Sequence, residues 1–396
     1  MRIVLASQSY PPLGAGGIAT QTRLKARGLA AMGHEVIVAT HGHDRREETA
    51  EDGFRVVRLA DPGASAPIPS EAARWLAYSE ALAEEIDRLD RQLSLDIVEF
   101  PEWAAEGYVF LERRREKRPA AVVHVHGPLV MLARTIGWPA LDSDLYRTGR
   151  VLERACLTRA DEVYSSSACS MEWCASEHGI DTSAWQVLHA GVDTRRFAPG
   201  PVERDARPTI AFVGRIAASK GADILVDACL RLAAHVPDLR LRMMGSGEAG
   251  HLRSLEARAA AVPGLLELAG PVSGDDLPAE LRRADVFAAP SLYEGGPGFV
   301  YLEAMACGLP VVACSGSGTG EAVAEDCGVF VPAGRVEPLA DALGHLLRDG
   351  DLRSRMGQRG RERALEVDTV RAVERIAGLY ARTLDRVEAE RSHRFA

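Results

Sequence analysis

Residues 289–314, APSLYEGGPGFVYLEAMACGLPVVAC, pack strand, loop, helix and strand into 26 positions, and their reading decides the fold. The apolar VFAAP (286–290) ends at Pro290 and Ser291 and reads as a short buried strand. Glu294, Gly295, Gly296, Pro297 and Gly298 then form a loop nearly bare of side chains, which leaves main-chain N–H groups open to a ligand. Residues 299–307 read as a helix stopped by Gly308, and Pro310 opens the strand PVVAC. A helix entered through glycines offers bare amides, here those of Gly298, Phe299 and Val300, at the positive end of its dipole, and both features suit a phosphate. Glu294 in the loop and Glu303 about one turn into the helix flank that end. Carboxylates repel phosphate, so the pair is expected to hold hydroxyls on either side of it. A sugar nucleotide has hydroxyls on both sides of a diphosphate.

Working outward, the same alternation of strand and helix fills the chain. TIAFVGR (209–215), LRLRMMG (239–245), LLELAG (265–270) and GVFVP (328–332) join the two strands already named, each followed by a helical stretch. In the first half RIVLA (2–6), EVIVAT (35–40), FRVVRL (54–59), DIVEF (96–100), AVVHVH (121–126) and DEVYSS (161–166) read as strands. Helices are expected over 18–32, 70–91, 103–116, 142–159 and 168–178. Repeated units of this kind form parallel sheets covered by helices on both faces. The run VDTRRFAPGPVERDARP (192–208) has three prolines and no periodicity and reads as a linker. The fold class is therefore α/β, with two doubly wound Rossmann-like domains expected over 1–195 and 205–375. The tail is helical from about 337, and its last piece, with 376–396 as a separate segment, is long enough to return to the first domain.

Composition agrees with a large enzyme. At 396 residues the chain exceeds one ordinary core. A net charge of −9 argues against a nucleic-acid partner, which needs a basic face. Seven cysteines, an odd count without a CxxC pair, fit reduced thiols. The start MRIVLASQSYPP is too short an apolar run for a signal peptide, and no run of 18 apolar residues occurs, so a cytoplasmic location is expected.

Ligands of open α/β sheets sit beyond the carboxyl ends of strands, so the loops there carry the chemistry. Arg215 ends the strand TIAFVGR, and Lys220 with Gly221 opens the next helix. Two cations at a helix N-terminus repel unless an anion lies between them, which makes both diphosphate ligands; the plain alternative is a pair of solvated surface charges. Gly14, Gly16 and Gly17 form the matching loop of the first domain, or else a simple turn. His126 ends AVVHVH before Gly127 and Pro128, at the strand mouth, whereas His124 reads as a structural histidine.

These motifs together, FVGRIAASKG, the segment from Glu294 to Glu303, LEAMACGLPVVA, HVHGP and VLHAGVDTRRF, resemble the retaining glycosyltransferases of family 4 over essentially the whole chain. The resemblance implies the GT-B fold, with two domains facing across a cleft and a C-terminal helix crossing back to the N-terminal domain. It implies that Glu294 contacts the donor sugar and Glu303 the ribose, that Arg215 and Lys220 hold the diphosphate, that Gly16 and Gly17 close over the phosphates, and that His126 touches the sugar. Transfer with retention from a nucleotide diphosphate sugar, a uridine one by family frequency, to a small-molecule or glycan acceptor follows, with no metal and no further cofactor. Two departures stand out. Eight residues separate Glu294 from Glu303 where the family has seven, so a loop residue bulges or Glu294 is displaced by up to ~3.5 Å. Ala190 replaces the family's Asn in HAGVD and receives no role.

Other patterns compete. GSGEAG (245–250) satisfies the GxGxxG pattern of a dinucleotide-binding dehydrogenase, but it follows the second strand of its domain and leaves the glutamate pair unexplained. A non-catalytic sugar-nucleotide sensor is the other alternative. Asp142-Ser-Asp144 imitates a metal-binding DxD where a helix cap is expected. The two histidines of HVH are expected on opposite strand faces, against a metal pair. RRREKR (113–118) reads as a solvated helix end, with weak docking of Arg113 to Arg118 on an anionic membrane as its sharper reading.

Overall fold

The computed structural model describes residues 1–14, 16–64, 67–113, 118–189, 191–201 and 207–394. The chain divides into two compact units, one of residues 1–190 with 369–396 and one of residues 191–368. The division differs from the expected 1–195, 205–375 and 376–396 at both ends. Val192 and Phe197, read as linker, are buried in the core of the second unit, where Val192 bridges Asp368 and the Thr194 amide and hydroxyl donate to the Asp368 carboxylate. At the other end a single helix, Thr369–Arg394, runs through 375 and 376 without a break.

The first unit holds an eight-stranded sheet of β1 (Arg2–Ala6), β2 (Glu35–His41), β3 (Glu47–Glu51), β4 (Phe54–Leu59), β5 (Ile97–Pro101), β6 (Ala120–Val125), β7 (Glu162–Ser165) and β8 (Gln186–Val187), in the order β3-β4-β2-β1-β5-β6-β7-β8. All pairs are parallel except β3 with β4. β3, EETAE, has no apolar alternation to betray it and exists only as an exposed edge laid against β4, Thr49 opposite Val56. Strand residues alternate between two apolar layers. Val4, Ile37 and Val98 pack against the helix Glu71–Leu93 on one face. On the other, Ile3, Leu5, Val36 and Val38 pack with Ala26 and Leu29 of the helix Gly17–Ala31 and with Val373, Ile376, Leu379 and Tyr380 of the last helix. The two helices approach closely because Gly28 lacks a Cβ, which would lie 2.8 Å from Val373.

The second unit carries a six-stranded, all-parallel sheet of β9 (Thr209–Val213), β10 (Arg240–Met244), β11 (Leu266–Gly270), β12 (Val286–Ala288), β13 (Val311–Cys314) and β14 (Gly328–Val331), in the order β11-β10-β9-β12-β13-β14. The order reverses between β9 and β12, so the loops after these two strands meet at the switch point of the sheet. Ser143, inside the DxD look-alike, caps the helix Asp144–Arg159 by accepting from Tyr146 N at 3.1 Å, as expected of that sequence.

Candidate active site

In the second unit the loops after β9 and β12 are joined. β9 leads through Gly214 and Arg215 into a short 3-10 turn, Ala218–Lys220, and then the helix Ala222–Ala233. Gly221 between them has φ +74°, and a Cβ there would lie 2.0 Å from the Pro290 carbonyl oxygen, so only glycine allows this contact. The Leu292 amide bonds the Ser219 carbonyl at 2.9 Å. This closeness brings Lys220 Nζ to Glu294 Oε1 at 2.5 Å, and Ser291 Oγ donates to the same oxygen at 2.7 Å. Two residues assigned to different parts of a ligand are thus side by side.

The helix Phe299–Ala306 begins after Gly298, at φ +74°, with no side chain capping it. Tyr301, in its first turn, is fully buried, donates its hydroxyl to the Ala289 carbonyl and meets Phe287 edge-on at 5.6 Å, which fixes the helix start against β12. Gly318 N bonds the Glu294 carbonyl at 2.8 Å from the far side of the loop. Glu294 is therefore anchored at Lys220 and Ser291, and Glu303 by its helix. Burial raises the Glu303 carboxyl to about 7, opposed by the charge of Arg196.

Arg215 is exposed and lines a cavity of about 410 Å³ with Ile216, Ser246, Gly247, Glu248 and His251; neither Lys220 nor the glutamate pair borders it. In the GSGEAG segment the Glu248 carboxylate accepts from Gly250 N at 2.8 Å and His251 N at 2.9 Å, capping the helix Ala249–Ala259. Those are the amides a dinucleotide pyrophosphate would need, so the glycine pattern here is a self-capped helix.

In the first unit Gly16 (φ +141°) is the N-cap of the helix Gly17–Ala31, without a side-chain cap. His126 follows β6 directly. Its imidazole is held neutral, its pKa pushed down to about 3 by burial and then by the Lys25 charge. The His124 and His126 ring centroids lie 3.8 Å apart, which corrects the expectation of opposite faces, because residues two apart on a strand share a face. His124 is wholly internal, with Lys25 Nζ at 3.2 Å from Nδ1, Ser166 Oγ at 2.8 Å from Nε2 and Tyr164 stacked at 4.1 Å. The ends of the basic run are engaged, Arg113 with Asp87 at 2.8 Å and Arg118 with Asp161 at 2.6 Å; residues 114–117 lie outside the described residues. Three glutamates of this unit that no motif singles out, Glu102, Glu106 and Glu153, are buried with their carboxyls each pushed up to about 8 by burial. The signal for the first two was acidic residues set in the strand exit VEFPEWAAEG.

Residues 15–196 match Glycosyltransferase Family 4, and residues 207–349 match Glycosyl transferases group 1. A GDP-mannose-dependent alpha-(1-6)-phosphatidylinositol monomannoside mannosyltransferase of Mycolicibacterium smegmatis is 31% identical over 92% of this chain and 94% of its own. The chain belongs to the family 4 glycosyltransferases. A second glycosyltransferase, the D-inositol 3-phosphate glycosyltransferase of Corynebacterium aurimucosum, is 28% identical over 96% of each chain. The sucrose-phosphate synthase of Thermosynechococcus elongatus superposes with a TM-score of 0.80 at 22% identity, covering 96% of this chain and 98% of that one. This family 4 glycosyltransferase thus has the GT-B fold, two parallel-sheet α/β units. Among the described residues no helix is long and apolar enough to cross a membrane.

Proposed function

We propose that this glycosyltransferase moves a hexosyl group from a nucleoside diphosphate sugar to a hydroxyl of a small-molecule or glycan acceptor, with retention and without a metal. The observation that carries this reading is the meeting of Lys220 and Glu294 at the switch point of the second sheet, beside an uncapped helix start and Glu303. Lys220, Arg215 and the amides of Phe299 and Val300 offset the charge that grows on the departing diphosphate. Glu294 holds the donor sugar and Glu303 the ribose. In the first unit, taken by itself, Gly16 and Gly17 offer bare amides and neutral His126 a hydrogen bond to a sugar hydroxyl. The bond between the anomeric carbon and the phosphate oxygen breaks as the acceptor oxygen attacks from the same face, and the acceptor's proton passes to that phosphate oxygen. Inverted product would overturn the front-face course.

The nucleotide base has two readings, uridine by family frequency and guanosine from the name of the M. smegmatis relative. A thermal-shift comparison of UDP and GDP tests both readings and the site together. The true nucleotide at 100 times its dissociation constant should stabilise the protein by ~2.7 kcal/mol, and a flat response to both would sink the proposal.

Glu303 makes the binding pH-dependent. Its carboxyl is raised to about 7, so it is neutral below that pH and accepts ribose hydroxyls best above it. Nucleotide affinity should rise from pH 6 to pH 8, and Glu303→Gln should flatten the part of the rise that the nucleotide's own phosphate does not explain. A titration curve identical in both proteins would remove Glu303 from the ribose.

A further inference from the structure

We propose that Glu102 and Glu153 are positioning residues that lock the turn His126-Gly127-Pro128-Leu129, and with it the His126 imidazole, in working geometry. This rests on the role given to His126 above. The turn leaves β6 and has only three N–H groups, since Pro128 has none. All three go to carboxylates. Glu102 Oε2 accepts from His126 N at 2.8 Å, Glu102 Oε1 accepts from Gly127 N, and the Glu153 oxygens accept from Leu129 N at 2.9 and 3.2 Å. Ser170 Oγ donates to the His126 carbonyl at 3.1 Å, and Glu102 N bonds the His124 carbonyl at 3.1 Å.

Both carboxylates are fully buried, at 0% exposure, so neither can touch a substrate. Burial pushes the Glu102 carboxyl up to about 8, and the nearby Glu153 charge adds to it. Two buried acids, each made hard to ionise by its burial, are a costly way to satisfy three amides that main chain or water could satisfy in an open turn. What the arrangement supplies is rigidity: a side-chain clamp, dry and bidentate, leaves the turn one backbone conformation. The ring of His126 is held from the other side by His124, itself pinned by Lys25 and Ser166. Clamped main chain below and a fixed ring beside it give His126 little freedom, as a group acting on a reacting sugar requires.

The test is a double-mutant cycle read by donor hydrolysis without acceptor, using UDP-glucose or GDP-mannose according to which nucleotide gives the thermal shift. Glu102→Gln turns one accepting oxygen into a donor facing an N–H, and kcat should fall about 10- to 100-fold. His126→Ala should fall at least as far, and the double variant should be no slower than His126→Ala alone. Losses that multiply in the double variant, or wild-type turnover in Glu102→Gln, would overturn the proposal. Should Glu102→Gln not fold, Ser170→Ala, which frees the His126 carbonyl, carries the same cycle with a smaller loss. Wild-type turnover of His126→Ala would instead defeat the role of His126 and this inference with it, while leaving the nucleotide thermal shift of the second unit intact.

Discussion

Replacing Lys220 by alanine should lower kcat for donor turnover about 10²- to 10³-fold, the loss found when one fixed donor to a developing oxyanion is removed. Lys220 is the cation that the β9 loop delivers to the β12 loop, and the delivery depends on Gly221 against Pro290 and on the Ser219–Leu292 hydrogen bond. Its charge is balanced by Glu294, at 2.5 Å. A diphosphate arriving at the helix Phe299–Ala306 would draw the ammonium toward itself and release the Glu294 carboxylate to the sugar hydroxyls. On the proposed reading the loss of either residue should therefore be felt at the other. Lys220→Ala should also shrink the nucleotide thermal shift, while Glu294→Gln should spare nucleotide binding and lose turnover. Lys220→Arg should not restore full activity, because a planar fork cannot replace a compact ammonium in this contact. Added EDTA should leave the wild-type rate unchanged. Unaltered kinetics in Lys220→Ala would remove the residue from the site.

That pairing shows where sequence reasoning stops. The loops after β9 and β12 were legible because strand ends, glycines and helix starts coincide in FVGRIAASKG and in the segment from Glu294 to Glu303. The order reversal that makes those loops neighbours lies in sheet topology, which no local pattern encodes. Apolar runs located most strands of both sheets to within two residues, since buried parallel strands are nearly continuous in hydrophobicity. β3 escaped because an exposed edge strand needs no such run. Residues 192–197 looked like linker because charges and prolines surround Val192 and Phe197, the two side chains that enter the core. The acids of the first unit were hidden for the opposite reason. A glutamate in a strand or helix reads as surface, and only the assembled unit shows that Glu99, Glu102 and Glu153 point inward.

Glu99 underlies the largest effect on stability. It sits in β5, and its carboxylate takes an ion pair with Lys25 of the helix Gly17–Ala31 and hydroxyl bonds from Tyr164 of β7, at 2.7 Å, and Tyr380 of the last helix, at 2.5 Å. Lys25 Nζ bonds the Tyr164 hydroxyl at 2.8 Å and His124 Nδ1 at 3.2 Å. With the Lys25 side chain 3% exposed and that of Glu99 7%, water cannot replace a lost partner. Lys25→Met should therefore destabilise the protein by about 3–5 kcal/mol, the cost of leaving one member of a buried pair uncompensated. Thermal unfolding should fall on the order of 10 °C for a unit of this size. Lys25→Met combined with Glu99→Gln removes both charges, and the double variant should recover more than half of the loss, since the pair as a whole is worth far less than breaking it costs. Because Tyr380 joins the same carboxylate, the single variant should also loosen the helix Thr369–Arg394, visible as faster amide exchange there than in the second sheet. A Lys25→Met protein that melts with the wild type would show that the Lys25–Glu99 pair adds nothing to stability, and that two tyrosines alone hold the last helix in place.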